Sequence, residues 1–324
     1  MRSPGMRFGT VTLVGRTNVG KSTFLNWALG QRLAIASPLP QTTRDTLLGV
    51  ATRGDAQIAF LDTPGLHRPR TELGRRMNAA ALDASRSADL VVMVTDVSQA
   101  PARELPPEVA TRPAAIRPGD EELFAELRRN EGQRRILLIN KVDLAKDKTR
   151  LLPMLEAYEK EGLFEALVPI SLLREVNLDV AMNEIASRLP EGPPGYESDV
   201  LTNRPVLFFV REYIREAILN QLRSEVPHAV AVSIDQANEQ ADRFRLAATI
   251  HVEKIGQRKI VVGQGGERIK AIGIAARKRI EELVEKKVHL ELFVRVSPRW
   301  KDMPRQLTEL GYDAGTGGSE EETP

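Results

Sequence analysis

Five short stretches of the chain carry residues whose types and spacing could do chemistry on a phosphate chain and a purine base. The first is GRTNVGKS at 15–22. Gly15 and Gly20 permit a backbone path whose N–H groups, those of Arg16, Thr17, Asn18 and Val19 among them, converge on anionic oxygens. Lys21 brings a fixed positive charge to the β/γ oxygens, and the hydroxyl of Ser22, followed by Thr23, can ligate Mg²⁺. In DTPG, 62–65, Asp62 is suited to hold the same ion through water, and Gly65, after Thr63 and Pro64, can turn its N–H onto a γ-phosphate. In NKVD, 140–143, the Asp143 carboxylate can accept two hydrogen bonds from the N1 and N2 donors of guanine. Adenine lacks that pair, and leaving a buried carboxylate unpaired is costly. Asn140 would brace this loop and the Lys141 stem would cover the base. In PISLL, 169–173, a backbone N–H at Ser171 or Leu172 could reach guanine O6. In QTTRD, 41–45, Thr43, in preference to Thr42, can cap Mg²⁺ when the γ-phosphate is present. Taken in chain order, the stretches predict GTP as substrate, GDP as product and Mg²⁺ as cofactor, with Lys21, Thr43, Gly65 and Asn18 acting at the reacting phosphate.

Where many GTPases place a water-orienting glutamine, directly after the glycine of DTPG, this chain has Leu66. Leucine neither donates nor accepts a hydrogen bond, so slow intrinsic turnover is expected. Two readings follow. Leu66 is only an apolar plug and the enzyme a slow timer, or the Asn18 amide oxygen helps hold a monovalent cation, K⁺, near the β/γ bridge. The second predicts faster turnover in KCl than in NaCl, a difference lost in Asn18→Ala.

A second glycine-rich loop lies in VVGQGGERIK, 261–270. Gly263 and Gly266 bracket a short turn, with Gln264 and Gly265 inside it, between two helical patterns. This matches the G-x-x-G loop of a KH domain, where side-chain-free backbone lets a sugar–phosphate chain pass closely and a helix N-terminus faces the phosphates. From Gly256 to Ile280 the basic residues are Arg258, Lys259, Arg268, Lys270, Arg277, Lys278 and Arg279, against Glu267 alone, in a chain whose net charge is +2. Ile260, Val262, Ile269, Ile272 and Ile274 interleave with them, available as a floor for unpaired bases or as core. Single-stranded RNA is the expected ligand. The alternatives are a basic, solvated helix and a module that meets acidic lipid headgroups.

The elements that must position these loops follow from the hydropathy pattern. Apolar runs at 10–15, 46–62 (two strands meeting at Gly54-Asp55), 89–97, 134–141 and 165–171 alternate with helical patterns at 72–87, 119–130, 149–161 and 177–188, which predicts an α/β fold with a mostly parallel sheet. The predicted organisation is a nucleotide-binding domain over 1–188, a Pro/Gly-rich linker over 189–205, a smaller helix-first α/β domain over 206–310 and an acidic, disordered tail over 311–324. In the second domain a helix at 206–222 leads to strands at 229–235 and 245–254, the glycine loop, a long helix to about Lys287 and a strand at 288–297. Residues 101–118, rich in proline, read as a surface loop. The chain has no cysteine, which excludes disulfides, thiol catalysis and cysteine-bound zinc, and its four histidines do not cluster. No apolar run approaches the roughly 20 residues that span a bilayer. A cytoplasmic protein is expected, at most attached peripherally to a membrane surface.

One nucleotide domain followed by a KH domain resembles the Era family of bacterial GTPases, over about residues 7 to 313. The stretches that carry the resemblance are GRTNVGKS, QTTRD, DTPG, NKVD, VVGQGGERIKAIGIAARKRIE and VHLELFVRVSPRW. It implies an assembly factor for the small (30S) ribosomal subunit that binds near the 3′ end of 16S rRNA through a type II KH domain. GTP state would control engagement, ordering the segments around Thr43 and Gly65 and so shifting how the two domains pack. It also implies loose contact with the inner membrane. A monomer is expected.

Overall fold

The apolar runs that alternate with helical patterns become one six-stranded sheet. It comprises β1 (Arg7–Val14), β2 (Leu47–Arg53), β3 (Ala56–Asp62), β4 (Leu90–Asp96), β5 (Arg134–Asn140) and β6 (Ala166–Pro169), in the order β2-β3-β1-β4-β5-β6. β2 is antiparallel to β3 and the other pairs are parallel. Every residue of β4 and all but the first of β5 are buried, as expected of β-branched and leucine-rich strands covered on both faces. The helices are α1 (Lys21–Leu29), α2 (Glu72–Ser87), α3 (Asp120–Arg128), α4 (Leu151–Lys160) and α5 (Leu178–Ser187). Gly15, Asp62, Asn140 and Ser171 all stand at or just beyond the carboxyl ends of strands, the edge where α/β sheets bind ligands.

The computed structural model describes residues 6–37, 39, 41–66, 69–98, 116, 117, 119–145, 151–222 and 226–312. Most of the proline-rich interval 101–118 and residues 313–324 of the predicted tail lie outside them. Contacts divide the chain into two units. The first holds Met1–Ala34, Asp45–Arg68 and Ala80–Asn203, and the second holds Ile35–Arg44, Pro69–Ala79 and Arg204–Pro324. No helix among the described residues is long and apolar enough to cross a membrane.

The second unit contains α6 (Val206–Gln221), β7 (Ala231–Glu239), β8 (Arg243–Val252), α7 (Ile255–Val262), α8 (Glu267–Val284), β9 (Lys287–Val296) and α9 (Pro304–Glu309). Its sheet runs β7-β8-β9, antiparallel then parallel. The core includes Val210, Ile214 and Ile218 of α6, Leu246 and Ile250 of β8, and Ile272, Ala276 and Ile280 of α8.

Three features differ from the expected boundaries. The range 189–205 is no free linker: Phe8 N–H donates to Pro190 O (3.2 Å), Gln57 and Tyr196 exchange two hydrogen bonds (2.8 and 2.9 Å), and Val50 N–H donates to Leu201 O (2.8 Å), so the first unit runs to Asn203. Residues 35–44 and 69–79 pack with the second unit although sequence places them inside 1–188. Tyr312, in the range read as tail, is buried and stacks on Trp300 at 6.0 Å, in a cluster with Leu73, Met77, Ala231, Leu307 and Leu310.

Candidate nucleotide site and RNA-binding loop

The loop between β1 and α1 is shaped by its glycines. Gly15 has φ +147° and an added Cβ would lie 2.2 Å from Val94 O; at Gly20, φ +112°, it would lie 2.4 Å from Asn140 Nδ2. Asn18, a non-glycine residue, is left-handed at φ 63°. The loop is braced from β5: Asn140 Nδ2 donates to Val19 O (2.8 Å) and Lys141 Nζ to Asn18 O (2.9 Å). Lys21 is buried at the start of α1, with Nζ donating to Gly15 O (3.1 Å) and Arg16 O (3.0 Å). Burial lowers its pKa to about 8, with Asp62 pulling the other way. An ammonium held by carbonyls in a desolvated loop is poised for a stronger anion. Arg16 contributes its carbonyl here, while its side chain lies beside Gly119 at the head of α3. Thr23 is exposed on the first turn of α1.

The hydroxyl of Ser22 donates to Asp62 Oδ2 (2.6 Å). This convergence of hydroxyl and carboxylate oxygens fits Mg²⁺, a hard cation that is bound by one or two carboxylates plus phosphate oxygens. Thr63 is buried and donates its hydroxyl to Leu13 O (2.7 Å), fixing the DTPG turn to β1. Pro64 is buried. At Gly65 a Cβ would meet Thr17 Cγ2 at 2.8 Å and Thr17 N at 2.9 Å, so only glycine lets this turn approach the first loop. Leu66 is half-buried against the apolar cluster that includes Val14, Leu123, Phe124 and Leu127.

At the base-reading end, Asp143 accepts a hydrogen bond from the Ser171 hydroxyl, and Ser171 is fully buried. The amides expected to reach O6 are engaged within the protein: Ser171 N–H donates to Val176 O (3.1 Å) and Leu172 N–H to Asn140 Oδ1 (3.2 Å). The Ser171 hydroxyl also meets the Asp143 carboxylate, a contact that local sequence does not announce, although a serine just beyond β6, the strand beside β5, was the available signal.

Thr43 belongs to the second unit. Its neighbours are tied down there: Thr42 is buried and its carbonyl accepts from Arg215, and Arg44, also buried, donates to Val230 O (2.6 Å) and His228 O (3.2 Å) and lies 5.7 Å from the Trp300 ring centre. Burial lowers the pKa of Arg44, the Tyr312 hydroxyl opposing it. Arg215 is paired with Glu212 (2.6 Å), so the buried charge has a partner.

In the second unit the glycine loop joins α7 to α8. Gly263 has φ 76° and ψ 174°, Gly265 φ 57° and Gly266 φ 82°. A Cβ at Gly263 would lie 2.7 Å from Arg268 Cβ, whereas at Gly265 and Gly266 it would meet open space. Arg268 ties the loop back through Nη1 to Ile260 O (2.6 Å). Arg258, Lys259, Gln264, Arg268, Lys270, Arg277 and Lys278 are exposed. Arg279 departs from the expected basic surface: it is half-buried, 4.5 Å from the Tyr213 ring centre and paired with Glu216. Ile260 and Ile274 are exposed while Ile272 is core.

Comparisons with known proteins match both halves of the chain. A family model described as 50S ribosome-binding GTPase matches residues 10–141, and a KH-domain model matches residues 225–301. The chain is 40% identical over 307 residues to a GTPase Era of Lacticaseibacillus paracasei, covering 94% of this chain and 96% of the relative. It is 39% identical over 305 residues to a GTPase Era of Staphylococcus haemolyticus, with the same coverage. Among solved structures, a variant of Aquifex aeolicus Era bound to GDP·AlF₄⁻ superposes with a TM-score of 0.85 at 34% identity, covering 95% of this chain and 99% of that one. An Era in complex with MgGDPNP and nucleotides 1506–1542 of 16S ribosomal RNA gives the same values.

Proposed function

This chain belongs to the Era family of GTPases, and from that premise we propose that it is a GTP-hydrolysing switch that binds 16S rRNA near its 3′ end through the KH unit and assists assembly of the small ribosomal subunit. The observation that carries the reading is the pairing, in one chain, of a braced phosphate loop with a base-reading carboxylate and a left-handed glycine loop opening a basic helix. The model whose description names the large subunit covers only residues 10–141, which do not include the RNA loop.

Lys21 moves from loop carbonyls to the β/γ oxygens, and the loop amides of 16–20 surround the phosphates. Ser22 and Asp62 would hold Mg²⁺, which supplies charge neutralisation at the phosphates. Asp143, aimed by Ser171, selects guanine. Gly65 presents its N–H at the γ position. With Leu66 packed into the apolar cluster, no side chain at that position orients water, and turnover is slow. We infer that K⁺ held at Asn18 assists; faster turnover in KCl than in NaCl, lost in Asn18→Ala, is expected, and equal rates in the two salts would retire the inference.

Coupling of nucleotide to RNA runs through the segment that contains Thr43. The reading is supported by contacts inside the second unit. Thr42 and Arg44 are anchored on Arg215, His228 and Val230; Arg215 belongs to α6; and α6 packs on α8, where Arg279 meets Glu216 and Tyr213. A third phosphate that recruits Thr43 therefore acts on a segment wired to the RNA-binding helix. The test is crosslinking to RNA in cells, with affinity for a 3′-terminal 16S fragment measured in the apo, GDP and GDPNP states. Crosslinks to 16S rRNA and unequal affinities are expected. Crosslinks confined to other RNA, or three equal affinities, would refute the partner or the coupling respectively.

A further inference from the structure

Asp96 belongs to none of the nucleotide motifs, yet it sits among them. It is the last residue of β4 and pairs in register with Asn140, the first residue of NKVD. Its side chain is 5% exposed and its two oxygens are divided between two cations. Oδ2 accepts from Lys141 Nζ (2.6 Å). Oδ1 accepts from Arg117 and from the amide (3.1 Å) and hydroxyl (2.6 Å) of Ser98. Lys141 itself is left-handed, with φ 62°, and its Nζ also reaches Asn18 O (2.9 Å) in the phosphate loop. A long, freely rotating side chain on a disfavoured backbone keeps one course only when its far end is tethered.

We propose that Asp96 is a positioning residue for the guanine nucleotide: its carboxylate fixes the Lys141 ammonium, so that the lysine stem forms a wall of the base pocket and the same ammonium clamps the phosphate loop at Asn18. The proposal rests on the reading of Asn140–Asp143 as the guanine site. The charge of Asp96 is needed because Arg117 stands on its other oxygen. A neutral amide in its place offers one acceptor oxygen for the two cations and turns its NH₂ toward one of them.

The test uses the full-length protein and fluorescent GDP, measuring dissociation rate and Kd, with GTP turnover and thermal melting alongside. Asp96→Asn is expected to raise the dissociation rate and Kd for GDP about tenfold, which is about 1.4 kcal/mol. Because Lys141 covers the ring face and Asp143 reads its edge, the ratio of GDP to IDP affinity is expected to stay constant. In a Lys141→Ala background, Asp96→Asn should change Kd less than twofold. A tenfold loss that persists in that background, or an unchanged Kd in the single variant, overturns the assignment. Arg117→Ala, which leaves Oδ2 on Lys141, should keep GDP affinity within twofold; a tenfold loss there would show that Asp96 acts through Arg117 and would overturn it as well. If Lys141→Ala and Asp143→Asn both leave GDP affinity intact, the reading of the guanine site fails instead.

Discussion

Gly263→Ala, set against alanine at Gly265 and Gly266, tests how far the RNA-binding loop depends on glycine backbone at each position. With φ 76° and ψ 174°, Gly263 occupies a region essentially reserved for glycine, and an added methyl would sit 2.7 Å from Arg268 Cβ and 3.0 Å from Arg268 N. Holding alanine there costs about 2 kcal/mol or more. The free loop of the variant relaxes out of this conformation, and RNA must recover it on binding, so affinity should fall about 30-fold. Gly265 and Gly266 are left-handed too, but a Cβ at either meets nothing within 4 Å. Alanine there costs about 1 kcal/mol, or about fivefold in affinity. Fluorescence anisotropy with a labelled single-stranded RNA at fixed salt measures all three, with GDP affinity as the control that should not move. Equal losses at the three positions, or larger losses at Gly265 and Gly266 than at Gly263, would refute the strain argument and indicate that the RNA backbone itself fills the space over the loop.

Three further outcomes are expected. Lys21 has a pKa of about 8 in the free protein, and an anion raises it, so GDP affinity should be full below pH 8 and fall as pH rises through that value, by up to about tenfold per unit; calorimetry at pH 7.0 and 8.8 measures this, and equal constants would remove the lysine from the phosphate site. Ser171→Ala deletes the hydroxyl that aims Asp143, a charge-assisted bond worth about 1.5 kcal/mol or more, so GDP should bind at least about tenfold more weakly; a change under twofold would show that Asp143 is aimed without it. Arg44→Ala orphans the Val230 and His228 carbonyls and should cost the second unit about 2–4 kcal/mol, less whatever repulsion from Arg215 it relieves; urea unfolding followed by Trp300 fluorescence in a Trp27→Phe background checks it, and a loss under 1 kcal/mol would show that the buried guanidinium contributes no net stability.

What could be read in advance was local. The phosphate loop, the turn after β3 and the glycine loop announce themselves because each needs particular residues within a few positions, and strands such as β4 are uninterrupted apolar runs. The missed features are those that sequence-local patterns cannot carry. The burial of Arg44, Leu73 and Met77 depends on partners more than a hundred residues away, so nothing near them distinguishes a nucleotide-domain segment from one packed with Trp300. β7 extends to Glu239, beyond the expected strand, because a bulge between Ile234 and Gln236 shifts the alternation of sides midway. α9 is only six residues long and starts at Pro304, too short for helical periodicity to show. In 189–203, Pro and Gly suggested a tether, but Tyr196 packs edge-on against Phe8 at 6.0 Å.

The second unit is stitched from three separated pieces of chain, Ile35–Arg44, Pro69–Ala79 and Arg204–Pro324. During translation the early pieces emerge long before their partners. Arg44 then lacks the carbonyls of residues 228 and 230, and Leu73 and Met77 lack the indole that covers them, until Trp300 has left the exit tunnel. The residues proposed to hold guanine nucleotide, by contrast, all precede residue 173. The second unit, with its basic helix, therefore cannot close until nearly the whole chain has been made.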